Sequence, residues 1–414
     1  MFSRENVLET TLPSEADCIL INSCAVTSRA VQDVRKSARR FYRENPRVST
    51  VITGCAVKHF QEELKELPGV VELVPQEEKD QVADLIRGMY TGGELLERKI
   101  YTEGFFSLED LSISSFPRAR PVLKVQDGCS RVCTYCIVPH TRGSARSRDP
   151  DDIIKEIDRL YQNGFREVVI SGINLSQYKY ASKQLADFWD LIAWLDGELC
   201  RHFAGEMRMR LSSLDPSLLD LKGLQILTRS ISICPHLHLS LQSASPDILR
   251  RMGRSHYSSS DIEKFIQELN KSWSVYGLGA DILLGFPGES DSDFCKTYEL
   301  VQRLPFSYGH VFVFSPRPDT RAYQMRPVVS RQDKKMRSQK MQELLQSKKR
   351  AFLQRLVNIS SLRVVLEQED PALGMNEYYT LSFFSRGSED NFQASLVEAI
   401  PISAGEQGLH VEKA

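Results

Sequence analysis

The sequence predicts an α/β protein in three parts: an open N-terminal α/β domain, a central partial (β/α)6 barrel and a small C-terminal β-barrel. Three observations predict it. Apolar strand-like runs alternate with helical patterns over residues 17–89 and again over 121–314, the arrangement of parallel sheets. In the second stretch the strand–helix unit recurs until six strands are counted. Beyond residue 361 the helical period is lost, and short β-type runs are separated by turns. The expected boundaries are 1–90 for the N-terminal domain, 91–120 for a linker with some strand pairing, 121–325 for the barrel, 326–357 for a basic linker helix and 358–414 for the terminal β domain.

Composition narrows the class. At 414 residues, 41% hydrophobic and 26% charged, the chain has the make-up of a soluble globular protein. It carries no apolar run of membrane-spanning length, and Met1-Phe2-Ser3-Arg4-Glu5-Asn6 lacks a signal pattern. The expected location is the cytoplasm, with no membrane partner. There the nine cysteines are better read as metal ligands or small buried hydrophobes than as disulfides.

Taken in order, 17–22 (Asp-Cys-Ile-Leu-Ile-Asn) reads as a buried strand, followed by a turn at Asn22-Ser23-Cys24 and a basic helix to about Arg43. A second strand over 48–53 ends at Gly54-Cys55; a short helix, a strand over 70–74 and a helix over 79–89 complete the domain. Cys24 and Cys55 both fall just past strand carboxyl ends, the edge where open α/β sheets place ligands. They are either a pair brought together there or two core cysteines.

The barrel strands are expected at 122–126, 167–171, 207–212, 237–241, 279–284 and 310–314, with helices at about 151–162, 185–199, 218–229, 261–272 and 291–304. Such barrels carry their chemistry on loops after the strands. The loop after the first strand is Gly128-Cys129-Ser130-Arg131-Val132-Cys133-Thr134-Tyr135-Cys136, three thiols spaced C-x3-C-x2-C. Thiolates are soft ligands suited to iron–sulfur clusters, zinc or copper(I). Three of them hold a four-iron cluster and leave one iron open, whereas closed zinc wants four ligands. His140 as a fourth ligand would give that zinc site instead.

Charge is unevenly spread, although the net value is -1. Residues 29–43 carry six Lys or Arg against Asp33, and residues 331–355 carry nine against two acids. Either cluster could match phosphates, or simply be a solvated helix face. Residues 361–414 have nine acids against three bases, the wrong sign for gripping phosphates.

With these features in hand, the chain resembles the radical S-adenosylmethionine (SAM) methylthiotransferases along nearly its whole length. The resemblance is carried by Gly128-Cys129 to Cys136 with Ile137-Val138-Pro139 and Arg142-Gly143. It is carried further by Asn22-Ser23-Cys24-Ala25-Val26-Thr27, Thr53-Gly54-Cys55, Asp281 to Glu289 and Phe314-Ser315-Pro316-Arg317. Ser23 to Thr27 together with Arg146-Ser147-Arg148 is most similar to the branch acting on N6-threonylcarbamoyladenosine beside the anticodon of tRNA. Two other branches act on isopentenyladenosine in tRNA and on a ribosomal protein. A rival from another class is a non-catalytic, metal-holding RNA-binding protein.

The resemblance implies a radical SAM barrel in which Cys129, Cys133 and Cys136 hold a 4Fe–4S cluster whose open iron takes SAM. Cleavage to a 5′-deoxyadenosyl radical, sulfur insertion and methyl transfer would follow. Tyr135 would pack on the SAM adenine, and Gly172 and Asn174 would hold the cofactor's amino group. Ser212, Gln242 and Gly285 would line the same pocket, with strand-end capping as the alternative role. Arg142, Arg146, Arg148 and Arg317 would meet RNA phosphates or the SAM carboxylate, which guanidinium binds bidentately. A second cluster in the N-terminal domain would use Cys24, Cys55 and a third cysteine. The family's first cysteine has no counterpart after Met1, and Cys18 lies inside a strand. The expectation is therefore a start codon placed too late or a missing first strand, the former being favoured. The terminal module is TRAM-like. Partners implied are tRNA, a sulfur source and an electron donor of flavodoxin or ferredoxin type.

Overall fold

A computed structural model describes residues 7–10, 12–23, 28–90, 98–103, 119–183, 185–367, 370, 372–385 and 396–414. The chain divides into two compact units. The first comprises residues 1–112, 135–144 and 315–320, and the second the remainder.

The first unit is a five-stranded parallel sheet. Its elements are β1 (Val7–Glu9), β2 (Cys18–Ser23), α1 (Ser28–Glu44), β3 (Ser49–Gly54), α2 (Gln61–Lys65), β4 (Val70–Pro75), α3 (Val82–Tyr90) and β5 (Arg98–Glu103), in strand order β1-β5-β2-β3-β4. The short α4 (Val138–Arg142) lies in its second segment. Strands β2 and β3 are apolar on both faces because both are covered. Ile19, Ile21 and Ile52 pack with Val31, Val34, Ala38 and Phe41 of α1, whose spacing makes one helical stripe. Cys18, Leu20 and Val51 pack the other way, with Val82 and Ile86 of α3. Cys18 is thus fully buried in apolar surroundings.

The segment 91–120, expected as a linker with some strand pairing, supplies β5, which pairs with both β1 and β2. A three-residue strand not anticipated in the sequence, β1, also lies ahead of β2, at the sheet edge. Three residues are too few to show a period in the sequence.

The second unit opens with β6 (Val122–Asp127), β7 (Arg146–Ser147), α5 (Pro150–Gln162), β8 (Glu167–Gly172), α6 (Phe188–Phe203), β9 (Arg208–Leu211) and β10 (Ser213–Leu214). It continues with α7 (Leu221–Arg229), β11 (His236–Gln242), α8 (Pro246–Met252), α9 (Ser259–Leu269), β12 (Gly277–Leu284), α10 (Asp291–Arg303) and β13 (His310–Val313). Two four-stranded sheets result, β7-β6-β8-β9 and β10-β11-β12-β13. Strands β9 and β10 are one run broken at Ser212, so six parallel strand positions follow in chain order as the repeat predicts. Alternation sorts the faces. Leu237, Leu239 and Leu241 enter the apolar core under the helices, while His236, His238, Ser240 and Gln242 take the opposite face, the barrel lumen.

The 26-residue α11 (Arg331–Leu356) packs on the barrel instead of linking past it. Arg337 is buried against Glu289 (2.7 Å) and Asp291 (2.8 Å), and Lys348 donates to the Leu304 carbonyl. Five further strands, β14 (Leu362–Leu366), β15 (Leu373–Asn376), β16 (Leu381–Phe384), β17 (Leu396–Ala404) and β18 (Gly408–Lys413), form the closed barrel β14-β15-β16-β18-β17.

This small barrel closes the amino-terminal end of the large one through buried charge. Glu167, at the start of β8 and fully buried, accepts from Arg208 Nε (2.6 Å) and Arg210 Nε (2.7 Å). The remaining guanidinium N–H groups donate to main-chain carbonyls of Arg363, Met375, Asn376 and Glu377. Tyr379 then stacks on His236 with ring centroids 4.7 Å apart. Gly277 is required there, since a Cβ would lie 2.2 Å from the Tyr378 carbonyl oxygen.

Burial alone would raise the Glu167 carboxyl, but Arg210 and Arg208 outweigh it and hold the group at about 2. A carboxyl depressed in the folded state stabilises above its unfolded value of roughly 4 and loses that contribution as pH falls toward about 2. Glu167→Gln leaves two guanidiniums short of their anion. It should cost about 3–5 kcal/mol in chemical denaturation at pH 7. The gap from wild type should narrow as the titration is repeated toward acid.

Candidate functional site

The three-thiol loop leaves β6 through a turn built on Gly128, whose φ of 68° suits a residue without Cβ. Gln126, the penultimate residue of β6, braces it. Its amide nitrogen donates to the carbonyls of Asp127 (2.8 Å) and Gly128 (2.7 Å), and its oxygen accepts from Asn174 N (2.8 Å). Gly172 allows this approach, because a Cβ would sit 2.9 Å from Gln126 Cβ.

Cys129 and Cys133 belong to the barrel unit, and both are partly buried. Cys129 Sγ accepts from the backbone N of Arg131 (3.4 Å) and from Asn174 Nδ2 (3.6 Å). Cys133 Sγ lies 3.8 Å from Arg254 Nη1. Burial pushes the Cys133 thiol up, while Arg254 pulls it down. Arg254 is itself fixed by Asp215 (2.9 Å), the Ser240 carbonyl (3.0 Å) and Tyr257 Oη (3.2 Å). Asp215 also takes His256 and faces Arg131 at 3.7 Å. Burial works against its charge, but His256 and Arg254 hold its carboxyl well below the usual range. The loop is pinned at Thr134, whose N donates to Met252 O and whose hydroxyl donates to Arg251 O.

The donor set fits an iron–sulfur cluster. Three thiols stand at the loop, all half-buried and none in a disulfide, and the sulfurs of Cys129 and Cys133 already face N–H donors. Hydrogen bonds to sulfur are one of the protein's means of setting a cluster's potential.

The other expected cofactor residues of the barrel lie at strand ends. Asn174 follows β8 and caps the turn 175–177 through Ser176 N. Ser212 interrupts β9 and β10, Gln242 ends β11 with a φ of 60°, and Gly285 follows β12 with a φ of 71°. A Cβ on Gly285 would meet Lys334 Cγ at 2.4 Å. Arg146 is exposed on β7, whereas Arg148 is committed to Glu156 (2.5 Å) and the Asp152 carbonyl, which removes it from simple phosphate contact.

Tyr135, Cys136 and Arg142 belong to the first unit, with Arg317. In that unit Cys55 follows β3 and its N donates to the Ser23 carbonyl, so β2 and β3 end side by side. Gly54 makes this feasible, with a φ of 103° and only 2.3 Å between a would-be Cβ and Ser23 O. Cys24 lies outside the described residues. Arg142 Nε donates to Cys55 Sγ at 3.1 Å, which places this arginine on a thiol where a phosphate or carboxylate was expected. His140 faces His59, whose imidazole approaches Asp319 at 3.7 Å. Arg317 is nearly fully buried.

Sequence reasoning missed Gln126, Asp215 and Arg254. A polar residue closing an apolar strand just before Gly-Cys was a legible signal for Gln126. Arg254 follows α8, a helix too short to register as a period.

The chain matches the family model described as Radical SAM superfamily over residues 123–301, and the one described as Uncharacterized protein family UPF0004 over residues 1–75. It is 33% identical over 365 residues to the threonylcarbamoyladenosine tRNA methylthiotransferase of Aquifex aeolicus, covering 87% of this chain and 86% of that protein. The enzyme of the same description from Thermotoga maritima is 31% identical, with 92% and 86% covered. The tRNA-2-methylthio-N(6)-dimethylallyladenosine synthase of Christiangramia forsetii is 27% identical, with 95% and 85% covered. Among solved structures, the radical SAM methyltransferase TsrM from Kitasatospora setae has a similar fold, with TM-score 0.55, 14% identity, and 78% of this chain and 67% of that one covered.

The Arg254–Cys133 contact is testable in metal-free protein. Arg254→Ala should move the apparent pKa of Cys133 alkylation upward, because it removes the cation that draws the thiol down. A pH–rate profile read by peptide mass spectrometry checks this, with exposed Cys295 as the internal control.

Proposed function

The chain belongs to the radical SAM methylthiotransferases, and from that membership we propose how its residues serve a tRNA methylthiotransferase acting on N6-threonylcarbamoyladenosine beside the anticodon. The observation that carries the reading is similarity to threonylcarbamoyladenosine enzymes across more than four-fifths of both chains. The three-thiol loop after the first barrel strand supports it.

Cys129, Cys133 and Cys136 would hold a 4Fe–4S cluster, which when bound would supply the electron for reductive cleavage of SAM. The chain's own work is positioning and exclusion of water. Asn174 and the Arg131 amide fix Cys129, and Arg254, locked by Asp215, fixes Cys133. Gln126 ties the loop to the residue after β8, so the loop and the cofactor edge move as one. Gly172, Ser212, Gln242 and Gly285 would line the strand-end rim for SAM, and Tyr135 would be the ring for its adenine.

Cys24 and Cys55, together with a third cysteine, would hold a second cluster as the source of the inserted sulfur, and Arg142 sets the electrostatics of the Cys55 sulfur. The partners of the reaction are a sulfur source and a flavodoxin- or ferredoxin-type electron donor in the cytoplasm. The tRNA is gripped by exposed cationic side chains such as Lys36, Arg39 and Arg43 on α1 and Lys340 and Arg350 on α11, and by exposed Arg146 on β7, whereas the burial of Arg317 leaves it a structural part. The acidic terminal barrel has a structural part instead.

Anaerobically reconstituted protein should cleave SAM to 5′-deoxyadenosine, and Cys133→Ala should abolish cleavage. Persistent cleavage in that variant sinks the loop assignment. In a deletion strain, tRNA nucleoside analysis should lose the 2-methylthio derivative of threonylcarbamoyladenosine and leave its precursor.

A further inference from the structure

The lumen below the strand-end rim holds a cluster that the reaction above does not use. His238 on β11, Asp281 on β12 and His310 on β13 offer one ligand atom each, all within 4.8 Å of one another. The register explains the meeting. Asp281 pairs with His310 across β12 and β13, and His238 pairs with Gly279, two residues before Asp281 on the same face. His238 Nε2 is 3.1 Å from Asp281 Oδ1. We propose that His238, Asp281 and His310 form a binding site for one divalent first-row transition-metal ion in the barrel lumen.

Three features support a built site. The donor set is two imidazoles and one carboxylate, which suits iron, cobalt or zinc and leaves coordination positions open. The buried member is oriented from behind: Tyr308 Oη lies 2.8 Å from His238 Nδ1 and 2.7 Å from His236 Nε2. With a cation on Nε2, His238 carries its proton on Nδ1 and donates it to Tyr308, the outer-shell partner that metal-bound imidazole ordinarily has. That contact needs Gly279, since a Cβ there would lie 2.2 Å from Tyr308 Cζ and 2.6 Å from His238 Nδ1. The open side is free as well. Among the described residues His310 makes ring contacts with His238 and Tyr308 but no side-chain hydrogen bond, and it is solvent-exposed. The thiols of the cluster loop are not among the ligands, so this is a second kind of metal chemistry in the same unit.

The test uses cobalt(II) chloride on the full chain with the cysteines of its cluster loop already occupied by a reconstituted cluster and exposed Cys295 alkylated. Anaerobic equilibrium dialysis with metal analysis should find one cobalt per chain. Low-temperature EPR of the oxidised protein should show high-spin cobalt(II). Asp281→Asn and His310→Ala should each weaken uptake at least tenfold, with thermal unfolding unchanged for the exposed His310→Ala. Absence of uptake by the wild type overturns the site, leaving a hydrogen-bonded His238–Asp281 pair. Equal uptake by wild type and both variants also overturns it.

Discussion

One carboxylate governs the architecture of the larger unit. Glu167 has no solvent to share its charge with, so its position is tolerable only while Arg208 and Arg210 enclose it. Both arginines come from the next strand, β9, which the same contact holds in register beside β8. Their outer N–H groups continue into the carbonyls of the terminal barrel. Sheet register, barrel closure and attachment of the last domain therefore share a single electrostatic origin. Everything at the opposite, reactive end rests on strands whose lower ends are fixed this way.

At that upper end the logic is similar but looser. Polar side chains with two or three partners connect the loop to neighbouring strands: Gln126 to Asn174, Arg254 to Asp215, Arg131 to Ser176 and Ser217. None is an ion pair sealed from water to the degree of Glu167, and the thiols stay half-exposed. A rigid base and an accessible rim suit a protein that binds a small cofactor at its strand ends.

Much of this was legible in the sequence. The six strands of the barrel were readable because each is an apolar run with helices of clear period between them, and the thiol loop declared itself by spacing. The N-terminal sheet was readable at β2, β3 and β4 for the same reason. What escaped was short or non-local. β1 and α8 have too few residues to repeat, and β5 lies in a stretch without alternation. The partners of Cys133 and Cys129 are 121 and 45 residues away in sequence, so only folding reveals them. Charge counting along α11 also misled, since Arg337 and Lys348 are spent on packing.

The terminal barrel is held by guanidiniums that read main-chain oxygen at positions 363 and 375–377, not the side chains there. Those bonds are blind to residue identity, whereas the Tyr379 ring on His236 and the Glu367 carboxylate on Ala119 N and Arg120 are not. Substitutions away from these two side chains can accumulate across the module's surface, changing its charge and its chemical taste, without loosening the joint. An acidic module on an RNA-directed scaffold is then no contradiction: its anchorage leaves most of that surface free in sign, to drift or to be selected.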